Sequence, residues 1–261
     1  MKHPLVLDPR GRKPGGDTPR ICTPLVGRTR ERLLAEVASI LPKSPDLLEW
    51  RVDHFGAVAD TGAVISTVRE LRAKAGTLPI ILTCRAAKDG GHRIALEPPQ
   101  VVEMYESVAE TRCVQFIDFE LDNEPALVQR VRQITKAREL RLILSYHNHS
   151  YTPGHDFMVE RFLEAERVGA DVAMVQVKPR DRADVLRLLA ATAEADTKAH
   201  IPLISMSIGP LGSVSRIVGG LFGSSMAFAV GESASAPGQI PIGDLVAAFD
   251  VIRRTRGGEM L

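Results

Sequence analysis

Arg51, Arg85 and Arg216 each follow a short apolar run, and Glu49, Asp53, Asp118 and Glu120 stand in or beside such runs. A guanidinium is planar, stays charged and grips a carboxylate at two points. Arginines converging with carboxylates at strand ends therefore suit a small, anionic, hydroxylated molecule. Asp53, Asp118 and Glu120 admit two readings, ligand contact or an internal ion-pair network, because buried charges must be paired. Arg216 lies on a glycine-bearing loop with no carboxylate close in sequence, which points to a ligand.

His147 closes the run Leu142-Ile-Leu-Ser-Tyr146 and is the natural acid–base candidate, since imidazole titrates near neutrality. The alternative is a hydrogen-bonded structural histidine. His149 shares its parity but lies further into the loop and is secondary. His54 and His92 read as loop residues. The His147/His149 spacing lacks a third ligand at a usual offset, so no metal is expected. Cys22, Cys84 and Cys113 are odd in number, have no paired spacing and read as small buried hydrophobes.

These residues need a frame. Apolar runs at 21–26, 47–51, 79–84, 114–121, 142–146, 172–177, 202–207 and 226–230 are apolar on both parities, as parallel strands covered on both faces are. Helical spacing marks 28–41, 99–111, 124–138, 156–168 and 182–195. The stretches 150–153 and 179–181 read as helix entries, and Gly169 as a helix stop. Eight strand–helix units predict an α/β fold, a single-domain (β/α)8 TIM barrel over 21–261, behind a mobile tail over 1–20. An open doubly wound sheet is the runner-up, but no Gly-x-Gly-x-x-Gly turn follows an early strand. In a barrel the strand C-termini and the following loops build the site. Alternate strand residues share a face, so Glu49, Arg51 and Asp53 are expected to point together. The same holds for Asp118 with Glu120, and for Met174, Gln176 and Lys178.

The formal net charge of +1 leaves no footprint for nucleic acid or an anionic membrane surface. The basic clusters 10–13 and 253–256 read as solvated ends. No apolar stretch reaches transmembrane length, and residues 1–20 lack the apolar core of a secretory leader. The expectation is a soluble, cytoplasmic protein.

Seven motifs then resemble those of type I 3-dehydroquinate dehydratases, in order and with compatible spacing from about residue 21 to the last helix. They are Glu49-Trp-Arg-Val-Asp-His-Phe55, Arg85-Ala-Ala-Lys-Asp-Gly-Gly91, Ile117-Asp-Phe-Glu-Leu121, Ser145-Tyr-His147, Gly169-Ala-Asp171, Ala183-Asp-Val-Leu186 and Ser235-Ala-Pro-Gly-Gln239. The resemblance implies a cofactor-free barrel of the shikimate pathway, a homodimer, that dehydrates 3-dehydroquinate through an imine to a strand-six lysine. It implies that His147 moves the proton and Arg216 binds the substrate carboxylate. Ser235 and Gln239 would close over the substrate, Glu49, Arg51 and Arg85 would hold its hydroxyls, and Met206 would lie near the ring.

Three positions depart from the family. Asp89 stands where a glutamate usually orients the histidine. Asn148 stands where an aspartate often follows it. Met174 occupies the position of the imine lysine, and a thioether cannot form an imine. Lys178 lies four residues on, about 13 Å along a strand; it is either a relocated nucleophile or a rim lysine. Lys88, in a loop, is a weaker candidate. Two readings stay open: a dehydratase with an altered or lost covalent step, or a homologue that binds a cyclic hydroxy acid as a sensor or for different chemistry.

Overall fold

The apolar runs become parallel strands alternating with helices in a computed structural model that describes residues 18–231 and 238–256. The order is β1 (Arg20–Leu25), α1 (Arg30–Ile40), β2 (Leu47–Arg51), α2 (Thr61–Ala75), β3 (Ile80–Thr83), α3 (Pro98–Glu110), β4 (Phe116–Glu120), α4 (Pro125–Ala137), β5 (Arg141–Asn148), α5 (His155–Arg167), β6 (Val172–Val177), α6 (Arg182–Lys198), β7 (Leu203–Ser207), α7 (Gly209–Gly212), α8 (Val214–Val218), β8 (Met226–Val230), β9 (Ile240–Pro241) and α9 (Ile242–Arg256). Most of the expected tail falls outside the described residues; Arg20 already belongs to β1.

Strands β1 to β7 pair in sequence order, β8 pairs with β1, and β9 adds two residues beside β8. The ring closes between β7 and the entry to β8. Ser225 N donates to Leu203 O at 2.7 Å, and the Ser224 hydroxyl accepts from Ser205 N at 3.0 Å. This is a (β/α)8 barrel, as the pattern predicted.

Helix starts follow from local chemistry. Thr29, Asp60 and Asp181 accept from the Arg32, Ala63 and Asp184 amides, satisfying first-turn donors. Pro98 and Pro125 open α3 and α4, where a missing N–H costs nothing. No helix among the described residues is long and apolar enough to cross a membrane.

The inner faces of the strands form the floor of the site. Cys22, Leu47, Ile81, Phe116, Ile143, Val172, Ile204 and Met226, one from each strand, fill the base of the barrel. Two residues further along each strand the chemistry splits. Strands β2 to β5 present Glu49, Thr83, Asp118 and Ser145, whereas β6 to β8 present Met174, Met206 and Phe228. One half of the upper barrel is thus charged and the other apolar. A larger cluster between the strands and the helix ring contains Trp50, Tyr105 and Phe162 and carries most of the apolar burial.

Candidate active site

The upper barrel opens into a cavity lined by Glu49, Arg51, Arg85, Asp89, Gly90, His147, His149, Met174, Gln176, Met206, Arg216, Phe228 and Gln239. Nearly every residue selected from sequence lies here. Lys178 does not: it is exposed and does not line the cavity. Strand β6 ends at Val177, and the Thr152 hydroxyl donates to the Lys178 carbonyl at 3.0 Å, so the face shared by Met174 and Gln176 does not extend to Lys178. Asp53 leaves its expected face for the same reason. The chain turns into a short 3-10 helix, Val52–His54, directly after Arg51. Ser235 lies outside the described residues.

The three arginines have different partners. Arg51 donates through Nε and Nη2 to both Asp53 oxygens, each at 2.8 Å. Asp53 also accepts from the Arg85 and His92 amides, tying the loop after β3 to the end of β2. Burial opposes its charge, but the Arg51 bonds and the Arg51 charge hold its carboxyl below the usual range.

Arg85 donates from Nη1 to Glu120 and to the Ser145 hydroxyl, and from Nη2 to Asp118, all at 2.9 Å. Burial opposes its charge too, yet Asp118 and Glu120 together keep the guanidinium more firmly protonated than usual. Of the two readings open for Asp53, Asp118 and Glu120, the structure favours the internal network, since none of the three lines the cavity. Tyr105 prepares Arg85's position: its hydroxyl accepts from Cys84 N at 2.7 Å and donates to Asp118 O at 3.0 Å. That hydroxyl joins the end of β3 to β4 just where the chain passes to Arg85.

Arg216, on α8, is only 2% exposed, and no carboxylate pairs with it among the described residues. Nε donates to Gly238 O at 3.1 Å, and Nη1 faces Phe228 O at 3.3 Å and Met206 Sδ at 3.4 Å. Nη2 has no hydrogen-bond partner there. Burial alone lowers its pKa from the usual 12.5 to about 10. A buried cation with an unused donor at a cavity wall is suited to receive an anion.

His147 is buried, and neither ring nitrogen has a partner among the described residues. Asp89 therefore does not hold it. Burial, then Arg85, pushes its pKa well below 6.5, so the ring is neutral and able to accept a proton. Asp89, in the loop after β3, is pushed up to about 6 by burial and then by Glu120. Burial likewise raises Glu49, despite Arg51 and a 2.8 Å bond from the Thr83 hydroxyl.

Met174 is 4% exposed and sits in register with Ser145 on β5 and Ile204 on β7. Among the described residues, no lysine lines the cavity.

The match to known proteins covers almost the whole chain. The family model for type I 3-dehydroquinase aligns with residues 21–256. This chain belongs to the type I 3-dehydroquinase family. A 3-dehydroquinate dehydratase of Albidiferax ferrireducens is 48% identical over 243 residues, 93% of this chain and 92% of that protein. The crystal structure of the 3-dehydroquinate dehydratase from Geobacillus kaustophilus superposes with a TM-score of 0.89 at 39% identity, covering 92% of this chain and 93% of that one. That of the type I enzyme from Clostridium difficile, with covalently modified comenic acid, gives 0.92 at 29% identity, covering 98% and 100%.

The sequence assigns no role to Gln176, Phe228 and Gly90 of this type I 3-dehydroquinase barrel, and only a secondary one to His149. Gln176 was placed on the Met174 face, and that parity was the available signal. His149 was ranked second for its loop position, yet β5 runs on to Asn148 and carries it to the rim. Phe228 follows Met226 by two on β8. Gly90 has φ +83°, and a side chain there would meet His149 Cε1 at 2.3 Å. Only glycine lets that loop lie against the imidazole.

Proposed function

We propose that this chain dehydrates 3-dehydroquinate, eliminating water from the ring without forming an imine. The Arg216 guanidinium carries this reading: it is buried at the cavity wall, and no carboxylate pairs with it among the described residues. It would take the substrate carboxylate. The charged half of the cavity, with Glu49, Arg51 and Arg85, would hold the hydroxyls. Met174, Met206 and Phe228 would pack against the apolar ring face. Gln239 and Ser235 would close the mouth.

Neutral His147 is the base. It removes the proton from the carbon between the ketone and the carbon bearing the leaving hydroxyl. The C–H electron pair moves into an enolate, then returns to form the carbon–carbon double bond as the hydroxyl leaves. That hydroxyl takes the proton back from His147 and departs as water. The ketone is left conjugated to the new double bond. Asp89, with a carboxyl near neutrality, is placed at the rim as a second proton-handling group. Imine chemistry is disfavoured here, because Met174 offers no amine and Lys178 is exposed and does not line the cavity. A homodimer working in the cytoplasm completes the reading, and three buried, unpaired cysteines fit that setting.

The test follows the conjugated product by absorbance and weighs the protein after borohydride treatment in the same sample. Turnover without a covalent adduct is expected. Borohydride-trapped substrate on Lys178 would replace this mechanism with a relocated imine. Met174 also supports a second reading, a barrel that binds the ring acid without turning it over, and tight binding with no product would select it.

A further inference from the structure

Resting on the dehydratase reading, we propose that the Gln176 side-chain amide donates the hydrogen bond that stabilises the enolate oxygen, with His149 as the positioning residue that fixes it. Without an iminium, negative charge must develop on the ketone oxygen and needs a donor in a site shielded from water.

Gln176 is placed for that role. It lies two residues beyond Met174 on the same inward face of β6, and it is in register with His147 on β5 and Met206 on β7. It lines the cavity and is 9% exposed. The base and the amide thus occupy one level of the barrel on neighbouring strands, directly above the thioether. Arg51 and Arg85 are weaker candidates, because their guanidinium groups are bonded to internal carboxylates.

The orientation of the amide is set by His149. Its Nε2 lies 3.3 Å from Gln176 Nε2. Two nitrogens can share a hydrogen bond here only if one accepts. His149 also bonds the Asp89 backbone, and burial followed by the Arg85 charge lowers its pKa, so the ring is neutral. An amide nitrogen donates and does not accept, so the neutral ring accepts here through Nε2. Gln176 Nε2 is therefore the donor, and its second hydrogen remains for the substrate. The His147 ring lies 6.2 Å from that of His149 and nearly parallel to it, at 22°. Gly90 leaves no room for His149 to swing toward the loop. One imidazole thereby fixes the amide and ties down the Asp89 loop.

The experiment compares wild type, Gln176→Leu, Gln176→Asn and His149→Phe with 3-dehydroquinate. It also measures the affinity of quinate, in which an alcohol replaces the ketone. Gln176→Leu is expected to lower kcat about 100-fold or more, as removal of an oxyanion donor does, with quinate affinity within threefold of wild type. His149→Phe keeps the ring stack but frees the amide, and about a tenfold loss of kcat is expected. Gln176→Asn should recover part of the rate. Exchange of the carbon-bound proton with deuterated solvent reports enolate formation directly and should fall in step with kcat. Gln176→Leu with wild-type kcat and exchange, in an active enzyme, overturns this inference alone. A wild-type chain that binds quinate but neither exchanges the proton nor forms product overturns the dehydratase reading and this inference with it.

Discussion

Replacing Arg216 by methionine should strengthen the fold and weaken the site. The guanidinium is buried with no paired carboxylate among the described residues, and its pKa falls from 12.5 to about 10 through burial alone. At about 1.4 kcal/mol per pKa unit, carrying this charge in the free protein costs about 3 kcal/mol. Methionine fills much of the stem volume beside Met206 but loses the bonds to Gly238 O and Phe228 O, about 1–2 kcal/mol together. The net expectation is a gain of about 1–2 kcal/mol, or a rise in Tm of roughly 2–6 °C for a chain of this size. Binding should move the other way. Loss of a buried charge partner typically removes about 2–5 kcal/mol, so quinate affinity should fall by about 30-fold or more. The carboxamide of quinate separates charge from shape: it should bind wild type poorly and bind Arg216→Met about as well as quinate does. Denaturant unfolding and titration calorimetry read both quantities. A variant that is less stable by 2 kcal/mol and keeps its preference for the carboxylate would refute the reasoning, because Arg216 would then be a structural cation.

Asp89→Asn should alter stability only above the acid range. An acid whose folded pKa is raised to about 6 makes the native state bind protons more tightly than the unfolded state. Stability therefore falls as pH rises from about 4 to about 6, and the asparagine variant should be more stable at pH 7 by on the order of 1 kcal/mol, after allowing for partial exposure. The two proteins should unfold at the same denaturant concentration below pH 4; a difference confined to low pH would contradict this. Met174→Lys places an amine in a site 4% exposed, where desolvation lowers its pKa and makes it nucleophilic. That variant should give a borohydride-trapped adduct and at least 100-fold faster turnover, at about 1–3 kcal/mol of stability; mass spectrometry without an adduct contradicts it. Gly90→Ala should lose at least 1 kcal/mol and most activity, from its positive φ and the contact with His149; wild-type melting would show that the loop yields freely. With His147 held neutral by burial, the acidic limb of kcat/KM should lie below pH 6.5, and a limb above that value would mean a different base.

Much of the barrel was legible because its strands are short runs apolar on both parities, such as 172–177, too short for helices and spaced between helical patterns. Helix α2 was harder to read. Its buried stripe is Val64, Thr67, Val68, Leu71 and Ala75, in which a threonine and an alanine dilute the apolar signal. The short helices α7 and α8 follow a Gly-Pro turn and carry no full period. In the site, residue types picked out arginines and a histidine that line the cavity, but sequence could not apportion partners. Arg51 is spent on Asp53 two residues on and Arg85 on carboxylates brought by β4, while Arg216 has no carboxylate partner among the described residues. Parity failed at Lys178 and Asp53 because β6 and β2 stop before them. Tertiary bonds from Thr152 and to Arg51 decide where those residues go.

The proposed mechanism dehydrates the ring without an amine. The most direct test is the rate of conjugated product formation by a Lys88→Met, Lys178→Met double variant, since these two lysines lie closest in sequence to the cavity loops. Turnover within about threefold of wild type is expected. Loss of product formation in a folded double variant that still binds quinate would contradict it.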